Sequence, residues 1–315
     1  MQSAAVILVL LLAVLFGATG CLYAPDIEPE RLEEEYAGEP SRFVEVDGLR
    51  MHYRDEGSGP PVVFLHGIAA NLFLWDAWAE RLRGRYRVIR LDLPGHGLTG
   101  PDPAGRYAWP AAAGLVARFM DQVGVARAAV VGSSHGGAVA WHLAASDPGR
   151  VGALVLMAPV GYPFEGSRPP FVFRLLANPV AGPVLIRLTP KREFAKRARS
   201  VYGDPSRLEP AEIDRQYELF RRAGNRDALL AMLRGGRDGG PIPDPRPLLA
   251  KIASPTLLVW GTADKAVPPS QAERFAGNIR GAEVALVQGA GHAPMEELPD
   301  ESLAPVEAFL RGRPW

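Results

Sequence analysis

The 315-residue sequence contains a single cysteine, Cys21, so no intramolecular disulfide can form and stability must come from a packed core. Cysteines or histidines paired at metal-ligand spacing are absent, which leaves no sequence signal for a metal site. Net charge is absent as well. The 35 basic residues balance 35 acidic ones, and the whole-chain field gives no reason to expect nucleic acid as a partner. No internal repeat is visible. With 47% hydrophobic and 22% charged residues the composition excludes wholesale disorder and a multi-span membrane protein. The length accommodates one large α/β domain with an inserted subdomain.

The one long apolar run is Ala4–Gly20, which carries no charge and is followed at once by Cys21. As a helix it would reach about 25 Å, short of the roughly 30 Å hydrocarbon layer, so a signal h-region fits it better than a span. Ala18-Thr19-Gly20-Cys21 resembles a bacterial lipoprotein processing site, in which Cys21 would become the lipid-modified first residue. Ala18 stands where a larger aliphatic residue is usual, and no Lys or Arg precedes Ala4. An uncleaved anchor and a simple cleaved signal therefore stay open beside lipidation, as does a buried core helix. Lipidation, an anchor and a cleaved signal all place the folded domain outside the cytoplasm, and the first two hold it at a membrane. Residues 22–41, acidic and with little apolar surface, read as a tether.

Eight β-rich runs follow: Phe43–Val46, Arg50–Tyr53, Val62–Leu65, Val88–Leu91, Ala128–Val131, Ala153–Met157, Thr256–Trp260 and Val284–Val287. From the third onward they are almost continuously apolar, as parallel strands covered on both faces must be. The first two are more polar and predict an antiparallel edge hairpin turning at Asp47-Gly48. Helical patterns alternate with them at Leu72–Leu82, Ala111–Val123, Gly136–Ala145, Pro269–Ala276 and Glu301–Leu310, which argues for right-handed crossovers. The interval from Gly161 to Ala253 breaks the rhythm, with helical stretches at Phe171–Leu176, Ala211–Arg222 and Arg226–Leu233 and no convincing strand. The expected fold is thus α/β, an eight-stranded mostly parallel sheet with helices on both faces. Its core spans residues 42–163 and 249–315, and a helical lid spans 164–248. The basic stretch Arg187, Lys191, Arg192, Lys196, Arg197 and Arg199 reads either as a solvated helix face or as a surface for anionic lipid headgroups.

Directly after the fifth strand, Gly132-Ser133-Ser134-His135-Gly136 fits G-x-S-x-G between an apolar strand and a helix. A sharp strand-to-helix turn crowds the backbone, so small residues two places either side expose the central hydroxyl. Ser134 is that residue. The His135 side chain cannot easily reach back to it, but its backbone N–H can serve as one oxyanion donor. His66-Gly67-Ile68-Ala69, after the third strand, supplies the Ile68 N–H as a second. Asp264 and His292 each follow a strand, so both fall on the same sheet edge as Ser134, in the chain order Ser, Asp, His.

From about Phe43 to Leu310, including Asp92-Leu93-Pro94-Gly95-His96-Gly97, the sequence resembles the α/β-hydrolase superfamily, most closely lid-bearing carboxylesterases and hydrolases of ring-cleavage products. The resemblance implies that the Asp92–Gly97 turn is structural. Serine at the nucleophile position separates the chain from haloalkane dehalogenases and epoxide hydrolases, which carry Asp there. The expected activity is cleavage of a small to medium apolar carboxylic ester by a Ser134-His292-Asp264 triad, with no metal or organic cofactor. Phe164, Phe171, Val172, Phe173, Leu175 and Leu176 would make the acyl pocket apolar or fill the lid core. Carbon–carbon hydrolysis of a vinylogous diketone is the alternative reaction. A catalytically silent ligand-binding module is the alternative class.

Overall fold

The computed structural model describes residues 23–163, 175–235, 244–313 and 315. Eight strands form one sheet: β1 (Ser41–Val46), β2 (Leu49–Glu56), β3 (Pro61–Leu65), β4 (Arg87–Leu91), β5 (Ala128–Ser133), β6 (Val151–Met157), β7 (Thr256–Gly261) and β8 (Glu283–Val287). Their order is β1-β2-β4-β3-β5-β6-β7-β8. β2 runs antiparallel to both its neighbours, and every pairing from β4 to β8 is parallel. The hairpin turns at Asp47-Gly48, where both residues have positive φ, the geometry of a two-residue turn that matches strand twist.

Alternation along the strands sends side chains into two separate cores. Val63, Leu65, Val130, Leu156 and Trp260 face one, with helices α3 (Trp109–Gln122), α4 (Ser134–Ser146) and α10 (Ser270–Ala276) packed over them. Val62, Phe64, Val131, Val155 and Val259 face the other, covered by α2 (Asp76–Leu82) and α12 (Pro299–Leu310). β8 departs from the expectation of double cover. It ends the strand order, and Val284 and Leu286 are 45% and 51% exposed on that edge.

Between β6 and β7 the described residues form an all-helical insertion: α5 (Ala181–Arg187), α6 (Lys191–Ser200), α7 (Pro210–Phe220) and α8 (Asn225–Gly235), followed by the short α9 (Arg246–Leu249). α7 and α8 coincide with helical patterns in the sequence, and α6 is its basic stretch. Phe164, Phe171, Val172 and Phe173 lie outside the described residues, as do residues 4–20 and Cys21. No helix among the described residues is long and apolar enough to cross a membrane.

The acidic stretch expected to be a free tether is instead folded onto the protein from Tyr23 onward. Ile27 pairs with the insertion at Arg222, and Asp26 accepts from the buried Arg226 at 2.6 Å. α1 (Pro29–Tyr36) sinks Leu32 into a satellite cluster with Leu72, Phe73, Leu98 and Leu219. Too few apolar residues to fold alone proved enough to dock, because the partner surface already exists.

Asp92 closes β4 as a buried hub. Its carboxylate accepts from His52 Nδ1 at 2.7 Å and from the Leu72 and Leu98 N–H groups at 2.8 Å. Burial pushes the carboxyl up, but the hydrogen bond and charge of His52 and the Leu98 N–H outweigh it and hold it at about 2. A carboxylate with a depressed pKa contributes stability that is complete above its ordinary value and is lost as pH falls through the folded one. Urea unfolding is therefore expected to show roughly 2 kcal/mol lost between about pH 4 and pH 2 through this group. Asp92→Asn should remove that acid slope and lower stability at neutral pH; an unchanged slope would assign it to other carboxylates.

Candidate active site

Because β3, β5, β7 and β8 run in one direction, the residues that follow them gather at one rim of the sheet, where open α/β sheets keep their ligands. Ser134 begins α4 with φ +52°, a left-handed conformation that a non-glycine residue adopts only under constraint from its surroundings. The constraint is visible at Gly136. A Cβ there would lie 2.4 Å from the carbonyl oxygens of Leu65 and His66, so only glycine lets α4 leave β5 so close to β3. This holds Ser134, 7% exposed, at the tip of the turn.

His292 and Asp264 are in contact. His292 Nδ1 donates to Asp264 Oδ2 at 2.7 Å, while Asp264 Oδ1 accepts the N–H groups of Ala266 and Val267 at 2.8 and 2.9 Å. Both carboxylate oxygens are thereby committed, and the tautomer this network assigns leaves His292 Nε2 as a free acceptor. Among the described residues no hydrogen bond joins the Ser134 hydroxyl to His292. Such contacts are commonly loose before substrate binds.

The two candidate oxyanion donors also fall at this rim. Gly67 packs against Ser134, with its notional Cβ 3.5 Å from Ser134 Cβ, and Ala69 turns the loop at φ +56°. The Ile68 N–H meets no backbone acceptor among the described residues, and the His135 N–H lies in the first turn of α4, where helix geometry supplies none. The helix macrodipole adds positive potential at the same point. His66 braces the loop: its Nδ1 donates to the Gly67 carbonyl at 2.7 Å, and its Nε2 accepts from the Leu93 N–H at 2.9 Å. Burial lowers the His135 imidazole to about 4, and its Nδ1 accepts from Trp109 Nε1 at 3.2 Å, which turns this side chain away from the role of acceptor for Ser134. No set of three or more His, Cys, Asp or Glu side chains among the described residues is arranged to hold a metal ion.

Sequence reasoning missed Glu297. This buried carboxylate, in the short helix α11 (Pro294–Glu297), accepts from the Gly291 N–H at 2.7 Å beside His292. It also accepts from the Gly203 and Asp204 N–H groups at 3.1 and 2.8 Å, in the strap that continues from α6. His292 N–H donates to Val201 O in that strap at 2.7 Å, and a Cβ on Gly291 would strike the same carbonyl at 2.3 Å. The histidine loop is therefore clamped between core and insertion. A legible signal existed: Pro294 starts a helix whose first turn carries two glutamates, placed to fold back over loop N–H groups. Glu297→Gln, which sets an amide against backbone donors, is expected to lower kcat about 10- to 100-fold with a smaller change in KM. Steady-state kinetics on a soluble ester would measure this, and an unchanged kcat would show that the clamp does not orient His292.

A family model described as alpha/beta hydrolase fold matches residues 60–299. The chain is 33% identical over 281 residues to the dihydrolipoyllysine-residue acetyltransferase component of the acetoin cleaving system of Cupriavidus necator, covering 89% of this chain and 71% of that protein. It is 31% identical over 287 residues to the 2-hydroxy-6-oxononadienedioate/2-hydroxy-6-oxononatrienedioate hydrolase of Burkholderia vietnamiensis, covering 86% and 96%. Among solved structures it is similar to a membrane phospholipase A described as a bacterial virulence factor, with a TM-score of 0.75, 29% identity and 99% of both chains covered.

Proposed function

The chain belongs to the α/β-hydrolase family, and from that premise we propose that it is a serine hydrolase cleaving an apolar carboxylic ester. Ser134 Oγ attacks the ester carbonyl while His292 Nε2 takes the hydroxyl proton, and the Ile68 and His135 N–H groups receive the developing oxyanion. Collapse expels the alcohol, which takes the proton from His292. Water, deprotonated by the same imidazole, then attacks the acyl-enzyme; the acyl–Oγ bond breaks, the carboxylic acid leaves, and His292 returns the proton to Ser134 Oγ. Asp264 holds the ring in the required tautomer throughout.

What carries this reading is the His292–Asp264 contact of 2.7 Å on the rim where a strained turn presents Ser134. A narrow crevice separates the loop at Ala69 and Ala70 from the insertion, with Leu219, Phe220 and Leu229 beside the polar Asn71, His96 and Asn225, and we take the insertion to be the lid on this side of the site. The similarity to a membrane phospholipase A favours an ester of a lipid acid. A second reading, carbon–carbon hydrolysis of a ring-cleavage product, is favoured by the hydrolase of Burkholderia vietnamiensis. Turnover of a nitrophenyl ester chain-length series set beside a vinylogous diketone separates the two: preference for the diketone over every ester would overturn the esterase reading.

We further infer that residues 4–20 and Cys21 direct the domain to the outside of the cytoplasmic membrane. Metabolic labelling with a fatty acid tests lipidation, because label that persists in Cys21→Ala would count against it.

A further inference from the structure

We propose that the solvent face of α6 is a docking surface for an anionic lipid bilayer. At 100° per residue, Arg192, Lys196 and Arg199 fall within about 60° of arc on this helix. Phe194, Ala198 and Val201 fall roughly opposite and pack against the core. Arg192 and Lys196 are exposed and Arg199 is half-buried, so the stripe faces solvent, with the exposed Glu193 at its border. Its cations are also uncommitted. Arg187 binds Asp227 at 2.8 Å and Lys191 pairs with Asp214, whereas Arg192, Lys196, Arg197 and Arg199 meet no carboxylate among the described residues. In a chain of zero net charge, with most arginines of the core in ion pairs, a row of unpaired cations is a local choice rather than a global excess.

An independent observation selects a bilayer over other anionic partners. The polypeptide that follows the uncharged run of residues 4–20 joins the fold beside the head of this helix: Ala24 N–H donates to the carbonyl of Arg187 at 2.9 Å, four residues before α6 begins. Tyr23, immediately before it, is 53% exposed, an amphipathic ring of the kind favoured at headgroup level. The exposed aromatic and the segment that leads into the basic stripe are thus neighbours in the fold. α6 also runs into the strap whose Val201 carbonyl holds His292, so a bilayer under α6 lies next to the candidate active site.

The test uses the full chain and vesicles of phosphatidylcholine, alone or with one part in three phosphatidylglycerol. The apolar segment contributes equally to both, so the ratio of partition coefficients isolates the electrostatic part. Each cation near an anionic surface contributes about fivefold, so three predict a preference on the order of a hundredfold at low salt, collapsing at high ionic strength. The variant R192E/K196E/R199E should lose that preference. R127E/K251E/R280E, which makes the same charge change in the segments leading into β5, β7 and β8, at the opposite rim, should keep it. The glutamine triple R192Q/K196Q/R199Q serves if the glutamates lower the thermal unfolding midpoint. Equal partitioning of the wild type into both vesicles, an unchanged ratio in the α6 variants, or an equal loss in the opposite-rim variant overturns the proposal. Neither readout depends on ester turnover, so the hydrolase reading stands or falls separately.

Discussion

Replacing Ser134 by alanine is expected to lower ester turnover by about four to six orders of magnitude, leaving only the residual acceleration of the oxyanion donors and the binding cleft. Its unfolding midpoint should stay close to that of the wild type. The reason is specific to this position: the hydroxyl makes no hydrogen bond among the described residues, and alanine bears the same cost at φ +52° as serine does. Removing one oxygen takes away the nucleophile and no structural contact. The variant is checked by kinetics and thermal melting together. Turnover within tenfold of wild type would remove Ser134 from the chemistry. A large fall in the midpoint would instead mark Ser134 as a structural residue.

Asp264→Asn is expected to cost about 10⁴-fold in kcat, through the tautomer of its partner. Asp264 Oδ1 accepts two backbone N–H groups, so in the asparagine variant the amide oxygen stays there and the NH2 turns to His292. Facing a donor, Nδ1 must become an acceptor, and the proton moves to Nε2, the atom that has to receive the serine proton. Geometry is kept and the base is lost. Asp264→Ala gives a contrast, since it frees the Ala266 and Val267 N–H groups and should also destabilise the loop by about 1–3 kcal/mol. Equal midpoints for the two variants would contradict this division of labour, as would an Asp264→Asn kcat within tenfold of wild type.

The sheet and the rim residues were legible because each rests on a local signal. Continuous apolar runs such as Val62–Leu65 and Thr256–Trp260 mark doubly covered strands, and the glycines around Ser134 are forced by backbone contacts of 2.4 Å. Three features were not legible, and each depends on what lies across space. β8 is as apolar as its neighbours in sequence, but its exposure follows from ending the sheet order. Residues 23–36 look too polar to fold, yet Asp26 finds Arg226 two hundred residues away and Leu32 finds a ready-made cluster. Glu297 is an unremarked acid in a Glu-Glu pair until the strap at Gly203 and Asp204 brings its donors. The sequence also divides the basic stretch no further than a helix face, whereas the structure separates paired cations from unpaired ones.

Activation of Ser134 by its neighbours is measured by reacting the full chain with a fluorophosphonate and mapping the adduct by peptide mass spectrometry. One adduct per chain is expected, on Ser134, forming far more slowly in Asp264→Asn and absent in Ser134→Ala. No adduct on the wild type, or one on another serine such as Ser133, would contradict it.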